Sequence, residues 1–296
     1  MQLWNLPWGT DGGKASEAFM DRQQTILVTG ASSGIGAYCA RALKAKGWRV
    51  FATARKPEDI AALEADGIEA FSLDYSDPGS IAALADAVLA RTGGRLDALY
   101  NNGAYAQAGA VEDLPTEALR RQFETNLFGW HELTRRFIPA MRAQGHGRIV
   151  NCSSILGLVP AKFRGAYASS KYALEGLTLC LRMELEGSGI HVSLIEPGSV
   201  ETGITRNSLV WFERYIDIEH SPHSRAYHAE IEQLKTGRRH ARFGVKPPAI
   251  FKILLHALES PRPRPHYVVT LPAKTGAIMK RVLPAAILYR ILASRG

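Results

Sequence analysis

Short apolar runs alternate with longer amphipathic stretches along most of the 296-residue chain. Thr25–Gly30 (TILVTG) is a compact apolar run ending in glycine, which predicts a buried strand. Ser33–Lys46 reads as a helix, Arg49–Ala54 as a second strand, and Pro57 to Asp66 as a helix with proline in its first turn. Ile68–Leu73 predicts a third strand, with a helix after Pro78, and Leu96–Asn101 a fourth. Then follow a long helix over Thr116–Ala143, a strand at Arg148–Ser153, a helix over Ala166–Glu186 and a strand at His191–Glu196. This alternation predicts βαβ units, a parallel sheet and right-handed crossovers. Ser199 to Gly244 breaks the rhythm and reads as an irregular insertion without a strand, the usual form of a lid or binding loop. A helix from Pro248 to Leu258 and a strand at His266–Leu271 close the fold. One domain over residues 25–271 is therefore expected, with the insertion at about 199–245, a loose extension over residues 1–24 and a tail over 272–296.

The composition, 46% hydrophobic and 22% charged, is that of a globular chain with ample core, and no apolar stretch is long enough to span a bilayer. The first residues lack the layout of a secretory signal, so a cytoplasmic location is expected. Cys39, Cys152 and Cys180 lie far apart without a CxxC pair, which predicts reduced, mostly buried thiols and no structural metal cage. The net charge of +8 is concentrated at one end: no acidic residue follows Glu259, while seven basic ones do. That distribution argues against a nucleic-acid face on the main fold and leaves room for a local anionic contact.

The first predicted strand runs into Thr29-Gly30-Ala31-Ser32-Ser33-Gly34-Ile35-Gly36. Glycines at a strand-to-helix junction let the backbone approach a pyrophosphate, and the helix start offers free N–H groups. The same residues match GxSxG, the nucleophile elbow of α/β-hydrolases, with Ser32 as nucleophile. An elbow normally follows several strands, whereas this is the first. At the end of the second strand an NAD site usually carries an acid for the ribose hydroxyls; here the residues are Ala54-Arg55-Lys56. The guanidinium of Arg55 suits a 2′-phosphate, which points to NADP(H) ahead of NAD(H).

Tyr167 and Lys171 stand four apart, hence on one helix face. An ammonium beside the phenol is expected to lower its pKa from near ~10 and allow proton exchange with a carbonyl or alcohol oxygen. Ser154 follows a predicted strand and precedes Tyr167 by 13 residues, where it can hydrogen-bond the same oxygen; Ser153 competes for that role. Together these motifs resemble the classical short-chain dehydrogenases/reductases, over about Thr25 to Val269. The resemblance implies a Rossmann-type doubly wound parallel sheet of seven strands in the order 3-2-1-4-5-6-7, with helices on both faces. It implies hydride transfer at the nicotinamide and a catalytic set of Asn126, Ser154, Tyr167 and Lys171. Thr29, Gly30, Ser32, Gly34, Ile35 and Gly36 would line the phosphate turn, and Asp74 would hold the adenine. Asn101, Asn102 and Gly103 would brace the cofactor. Asn126 would bind a water that links Lys171 to solvent. Pro197, Gly198, Val200 and Thr202 would shape the nicotinamide pocket, and Tyr167 and Lys171 would also touch the cofactor. The family usually carries Asn-Asn-Ala-Gly; this chain has Asn101-Asn102-Gly103-Ala104.

More narrowly, Arg164–Lys171 (RGAYASSK), Leu181–Leu185 and Val192–Gly198 resemble bacterial proteins close to retinol and 17β-hydroxysteroid dehydrogenases, which implies a bulky apolar alcohol, ketone or aldehyde. Leu209, Val210, Trp211, Phe212, Tyr215 and Ile216 in the insertion suit either an apolar substrate under a lid or an amphipathic helix. His220, His223 and His228 lack metal-ligand spacing and read as solvated. The basic amphipathic segment Gly276–Leu292 can lie on a membrane surface, pack on the body or cover another subunit. The family's habit of pairing through its long helices implies a homodimer or homotetramer. The expected activity is interconversion of an alcohol and its carbonyl with NADP(H). A non-catalytic NADP sensor and a serine hydrolase are the alternatives.

Overall fold

In the computed structural model, seven parallel strands form one sheet in the order β3-β2-β1-β4-β5-β6-β7. Residues 22–236 and 244–294 are described, so the expectation for residues 1–21 lies outside them. The strands are β1 (Thr25–Val28), β2 (Arg49–Ala54), β3 (Glu69–Ser72), β4 (Ala98–Asn101), β5 (Gly147–Cys152), β6 (Ile190–Glu196) and β7 (His266–Val268). The central strands β1 and β4 are buried along their whole length, as expected for a sheet covered on both faces. Helix α1 (Gly34–Ala45) follows β1, α2 (Pro57–Ala65) follows β2, and α3 (Pro78–Thr92) follows β3. Asp77 caps α3 by accepting from the Gly79 N–H at 2.8 Å.

Two helices differ from the expected pattern. The helix expected over Thr116–Ala143 is two, α4 (Thr116–Phe123) and α5 (Gly129–Gln144), joined by a π-helical turn at Glu124–Phe128. The Gly129 N–H reaches back five residues to the Glu124 carbonyl, so apolar periodicity continues through the turn and hides it. The insertion is largely helical, with α7 (Ile204–Tyr215) and α8 (Ser224–Thr236) after the long α6 (Gly165–Glu184). Leu209 and Phe212 on α7 and Ile216 just after it follow helical spacing, and Phe212 and Ile216 join Tyr227 and Ile231 of α8 in a second apolar cluster. An amphipathic helix is one reading of these residues in the sequence, whereas the helix at Ser224–Thr236 was not expected. The chain ends in α9 (Pro247–Glu259), β7, α10 (Leu271–Val282) and α11 (Ala285–Ala293). Among the described residues no helix is long and apolar enough to cross a membrane. Cys39 and Cys152 are buried, but Cys180, on the outer side of α6, is exposed.

All strands of a parallel sheet end on the same edge, and loops leaving that edge form a crevice. Here the turn after β1 is tied to its neighbours. The Thr29 hydroxyl accepts from the Asn102 N–H at 2.9 Å, and the Gly30 N–H donates to Thr53 Oγ1 at 3.1 Å. Gly30 has φ of +64°, and a Cβ there would lie 2.3 Å from Gly103 Cα. Gly103 is less constrained: its Cβ would sit 3.1 Å from Gly30 N. Gly30→Ala is therefore expected to lower the unfolding free energy by roughly 2–4 kcal/mol, and Gly103→Ala by about 1 kcal/mol. Urea denaturation of both variants checks this; equal losses would mean that the two backbones do not meet as described.

Candidate active site

The crevice has two connected parts that share Ile35, Asn102, Ala104 and Thr202. The first is lined by Gly30, Ser32, Ser33 and Gly34 of the turn, by Arg55 after β2, by Asp74 after β3 and by Gly103. The second contains Ser154, Tyr167, Lys171, Pro197, Gly198 and Val200. Ser33 is the N-cap of α1 but makes no side-chain cap, so the helix start offers backbone N–H groups to a ligand. Gly36 is buried beneath the turn, where a Cβ would strike the Gly30 carbonyl at 2.3 Å. Close backbone packing, free N–H groups and a continuous groove fit a dinucleotide. Among the described residues no histidine lines either part.

At the substrate end, Ser154 leaves β5 as the N-cap of a short 3₁₀ turn, accepting from the Leu156 N–H at 3.1 Å. Tyr167 lines the same cavity as Ser154. One helical turn along α6, Lys171 is 1% exposed, donates to the Cys152 carbonyl at 2.8 Å and lies 4.3 Å above the Trp130 ring. Its ammonium is 5.7 Å from the centre of the Tyr167 ring. Burial lowers its pKa to about 8, with Cys152 and Glu175 acting in the opposite direction. The expected acidification of Tyr167 is not seen in this state. Burial dominates and pushes the phenol above its usual value, Cys152 adds to the rise, and only the neighbouring Ser154 opposes it.

Asn126 lies in the π turn and is fully buried. Its side chain donates to the Tyr105 carbonyl at 2.9 Å and accepts from the Tyr105 N–H at 3.3 Å, fixing the strand leaving β4. The Asn101 side chain does not line the crevice. It is buried and donates to Thr134 Oγ1 and Asn151 Oδ1, so it ties β4 to β5 and α5. Thr29 likewise works from beneath the turn. Asn102 does reach the crevice, and its amide donates to the Thr29 carbonyl at 3.1 Å.

At the far end, partial burial raises the Asp74 carboxyl, but hydrogen bonds from Ser76 and the nearby Arg55 and Arg121 bring it below its usual range. Arg121, on α4, was not singled out in the sequence, and Trp211, on α7, was read there only as one of the insertion's apolar residues. Both line this part of the crevice, with the guanidinium 4.5 Å above the indole ring. Arg121 Nε is buried without a partner. An arginine one helical turn before Asn126 carries no motif; only the folded lid reveals its place.

The second part encloses about 410 Å³ and is walled by Ala104, Ala108, Leu156, Leu209, Phe212 and Ile231. Leu209 and Phe212 thus line the cavity while Ile216 packs the lid, so the two sequence readings of this segment coexist. Charged Arg164 and Glu230 form an ion pair across the wall. The lid is held by Tyr227, whose hydroxyl accepts from the Ala110 N–H at 2.8 Å and donates to Asp113. His220, His223 and His228 face Asp217, Glu112 and Glu219 respectively, as acid pairs on the lid.

The short chain dehydrogenase family model matches residues 24–211. The uncharacterized oxidoreductase YbbO of Escherichia coli is 37% identical over 287 residues, covering 94% of this chain and 98% of that protein. A short-chain dehydrogenase from Streptomyces avermitilis superposes with a TM-score of 0.75 at 32% identity, over 94% of this chain and 99% of that one. An actinorhodin polyketide ketoreductase solved with NADPH (TM-score 0.67, 31% identity) covers 83% of this chain and 95% of its own. A Burkholderia phymatum family member in complex with NAD (TM-score 0.73, 27% identity) covers 88% and 92%. The chain belongs to the short-chain dehydrogenase/reductase family. It is an oxidoreductase of CH–OH groups that uses a nicotinamide cofactor.

One turn beyond Lys171, Glu175 meets Glu196 at the end of β6 and His266 at the start of β7. His266 Nδ1 hydrogen-bonds Glu196 and lies 3.7 Å from Glu175. Burial and then Glu196 push the Glu175 carboxyl up to about 7, against the opposing pull of Ser153, His266 and Lys171. A carboxyl with a raised folded-state pKa gives its full stabilisation below its unfolded value and loses it as pH rises through the folded one. Glu175→Gln keeps the neutral shape at every pH. The stability of wild type relative to this variant is expected to fall by roughly 3 kcal/mol from about pH 4 to about pH 8. Denaturation across that range checks it; a constant difference would exclude a buried, raised Glu175.

Proposed function

We propose that the protein interconverts a bulky apolar alcohol and its ketone or aldehyde with NADP(H). The observation that carries this is the meeting of Ser154, Tyr167 and Lys171 on one wall of an apolar cavity that is continuous with the glycine turn. In the reducing direction Ser154 and Tyr167 hydrogen-bond the substrate oxygen, and Tyr167 gives it a proton. A bound nicotinamide supplies the hydride. Lys171 lies against Tyr167 and offsets the negative charge left on the phenol, a strong effect in a site from which water is excluded. Burial raises the free phenol above its ordinary value, so the charge of Lys171 has to offset that rise as the proton is transferred. Asn126 fixes the Tyr105 segment beside the cofactor, and we assign its part of the π turn to a water that connects Lys171 to solvent.

The preference for NADP(H) rests on Arg55, the absence of an acid at the end of β2, and Arg121 near Asp74. Two guanidinium groups favour a 2′-phosphate, whereas NAD would leave them unpaired. Leu177 and Met183, exposed at 41% and 69% on α6, fit a subunit contact and hence a homodimer or homotetramer.

Tyr167→Phe is expected to reduce carbonyl turnover by about 10²–10⁴-fold while NADPH still binds. The check is absorbance at the reduced-nicotinamide band over aliphatic, steroid and retinoid carbonyls, with cofactor binding followed by fluorescence. Turnover that survives the substitution would remove the assignment. Arg55→Ala should raise the NADPH dissociation constant by about 10–100-fold and leave NADH nearly unchanged. Parallel changes for both cofactors would contradict the preference.

A further inference from the structure

The two last helices leave an apolar stripe uncovered. Leu271, Ile278 and Val282 recur at one-face spacing along α10 and are exposed at 68%, 60% and 68%. Ile287 and Tyr289 extend the patch onto α11, so five of the twelve exposed large apolar side chains among the described residues lie in these two helices. The opposite sides of both helices are seated on the body and on each other through Ala273 and Leu288, which are buried. The stripe is therefore what remains after the helices have packed.

Its charge identifies the partner. Lys274, Lys280, Arg281 and Arg290 are exposed around the stripe, and none of them pairs with an acid among the described residues. Lys280 lies 4.5 Å above the Tyr172 ring, which leaves its charge uncancelled. No acidic residue follows Glu259 in the sequence. A two-fold contact between copies would set this basic patch against itself, because such an interface meets its own surface. Apolar side chains rimmed by lysine and arginine instead match a bilayer interface with anionic headgroups.

We propose that α10 and α11 dock the protein on an anionic phospholipid surface. Peripheral contact requires no spanning helix: the apolar stripe enters the headgroup boundary while the basic side chains meet phosphate. Helix α10, which carries the stripe, rests on the wall of the substrate cavity with its other side. Gly276 of α10 packs against Ile155 and Val159, and Ile155 lines that cavity beside Ser154. Apolar substrates dissolved in the bilayer would then lie next to the site, a consequence that rests on the substrate reading above; the docking itself does not.

Co-sedimentation of the full chain with lipid vesicles tests this. Binding is expected to phosphatidylcholine vesicles doped with phosphatidylglycerol and not to phosphatidylcholine alone, and added salt should weaken it. Ile278→Glu combined with Val282→Glu should abolish binding. Lys274→Glu with Arg281→Glu should lower the partition coefficient by about tenfold or more. Circular dichroism establishes that each variant is folded. If either pair fails to fold, Ile278→Ser or Lys274→Gln serves in its place, with the same direction of change expected. Absence of binding to the anionic vesicles, or equal binding to both kinds, would overturn the proposal. So would Ile278→Glu/Val282→Glu dissociating an oligomer, measured by light scattering, while vesicle binding persists.

Discussion

A buried ammonium holds the centre of this molecule together. Lys171 comes from α6, its hydrogen-bond acceptor is the Cys152 carbonyl at the end of β5, and the ring beneath it is Trp130 of α5. An unpaired charge at 1% exposure is costly, so these three elements must keep their relative positions for the lysine to remain satisfied. The same arrangement sets Tyr167 one helical turn away and Ser154 at the strand end. Chemical reactivity and structural restraint thus derive from one contact.

Electrostatic behaviour here is governed first by loss of water and only then by neighbouring charge. Lys171 is lowered by burial, Tyr167 is raised by it, and Glu175 is raised by it too. A pairwise argument of phenol beside ammonium gets the neighbour right and the net direction in this state wrong, because it omits desolvation. Sequence spacing can report that two groups share a helix face. It does not report how much water both have lost.

Much of the fold was legible in the sequence because its elements are locally coded. Thr25–Val28, Arg49–Ala54 and Ile190–Glu196 are largely apolar, nearly fully buried strands, and glycine marks the turn after the first of them, where backbone must meet backbone. The π turn was not legible, since inserting one residue into a helix barely disturbs an apolar period, although Asn126 within it was identified. The first lid helix was one of two readings of its apolar residues, whereas the second was not read because its buried face is short. Asn101 was assigned to the cofactor from the family pattern, yet its side-chain N–H groups are taken up by Thr134 of α5 and Asn151 of β5.

From the sequence alone came the strand-helix alternation, the phosphate turn, the Ser154, Tyr167 and Lys171 set, and the concentration of positive charge at the chain's end. Each depends on neighbours within a few residues or on composition. Tertiary structure alone decided what lies across from what: Arg121 over Trp211, Glu175 against Glu196 and His266, and an apolar stripe on α10 left without a cover. Those pairings join residues from segments far apart in the chain, and only the packing of helices on the sheet sets the distances between them.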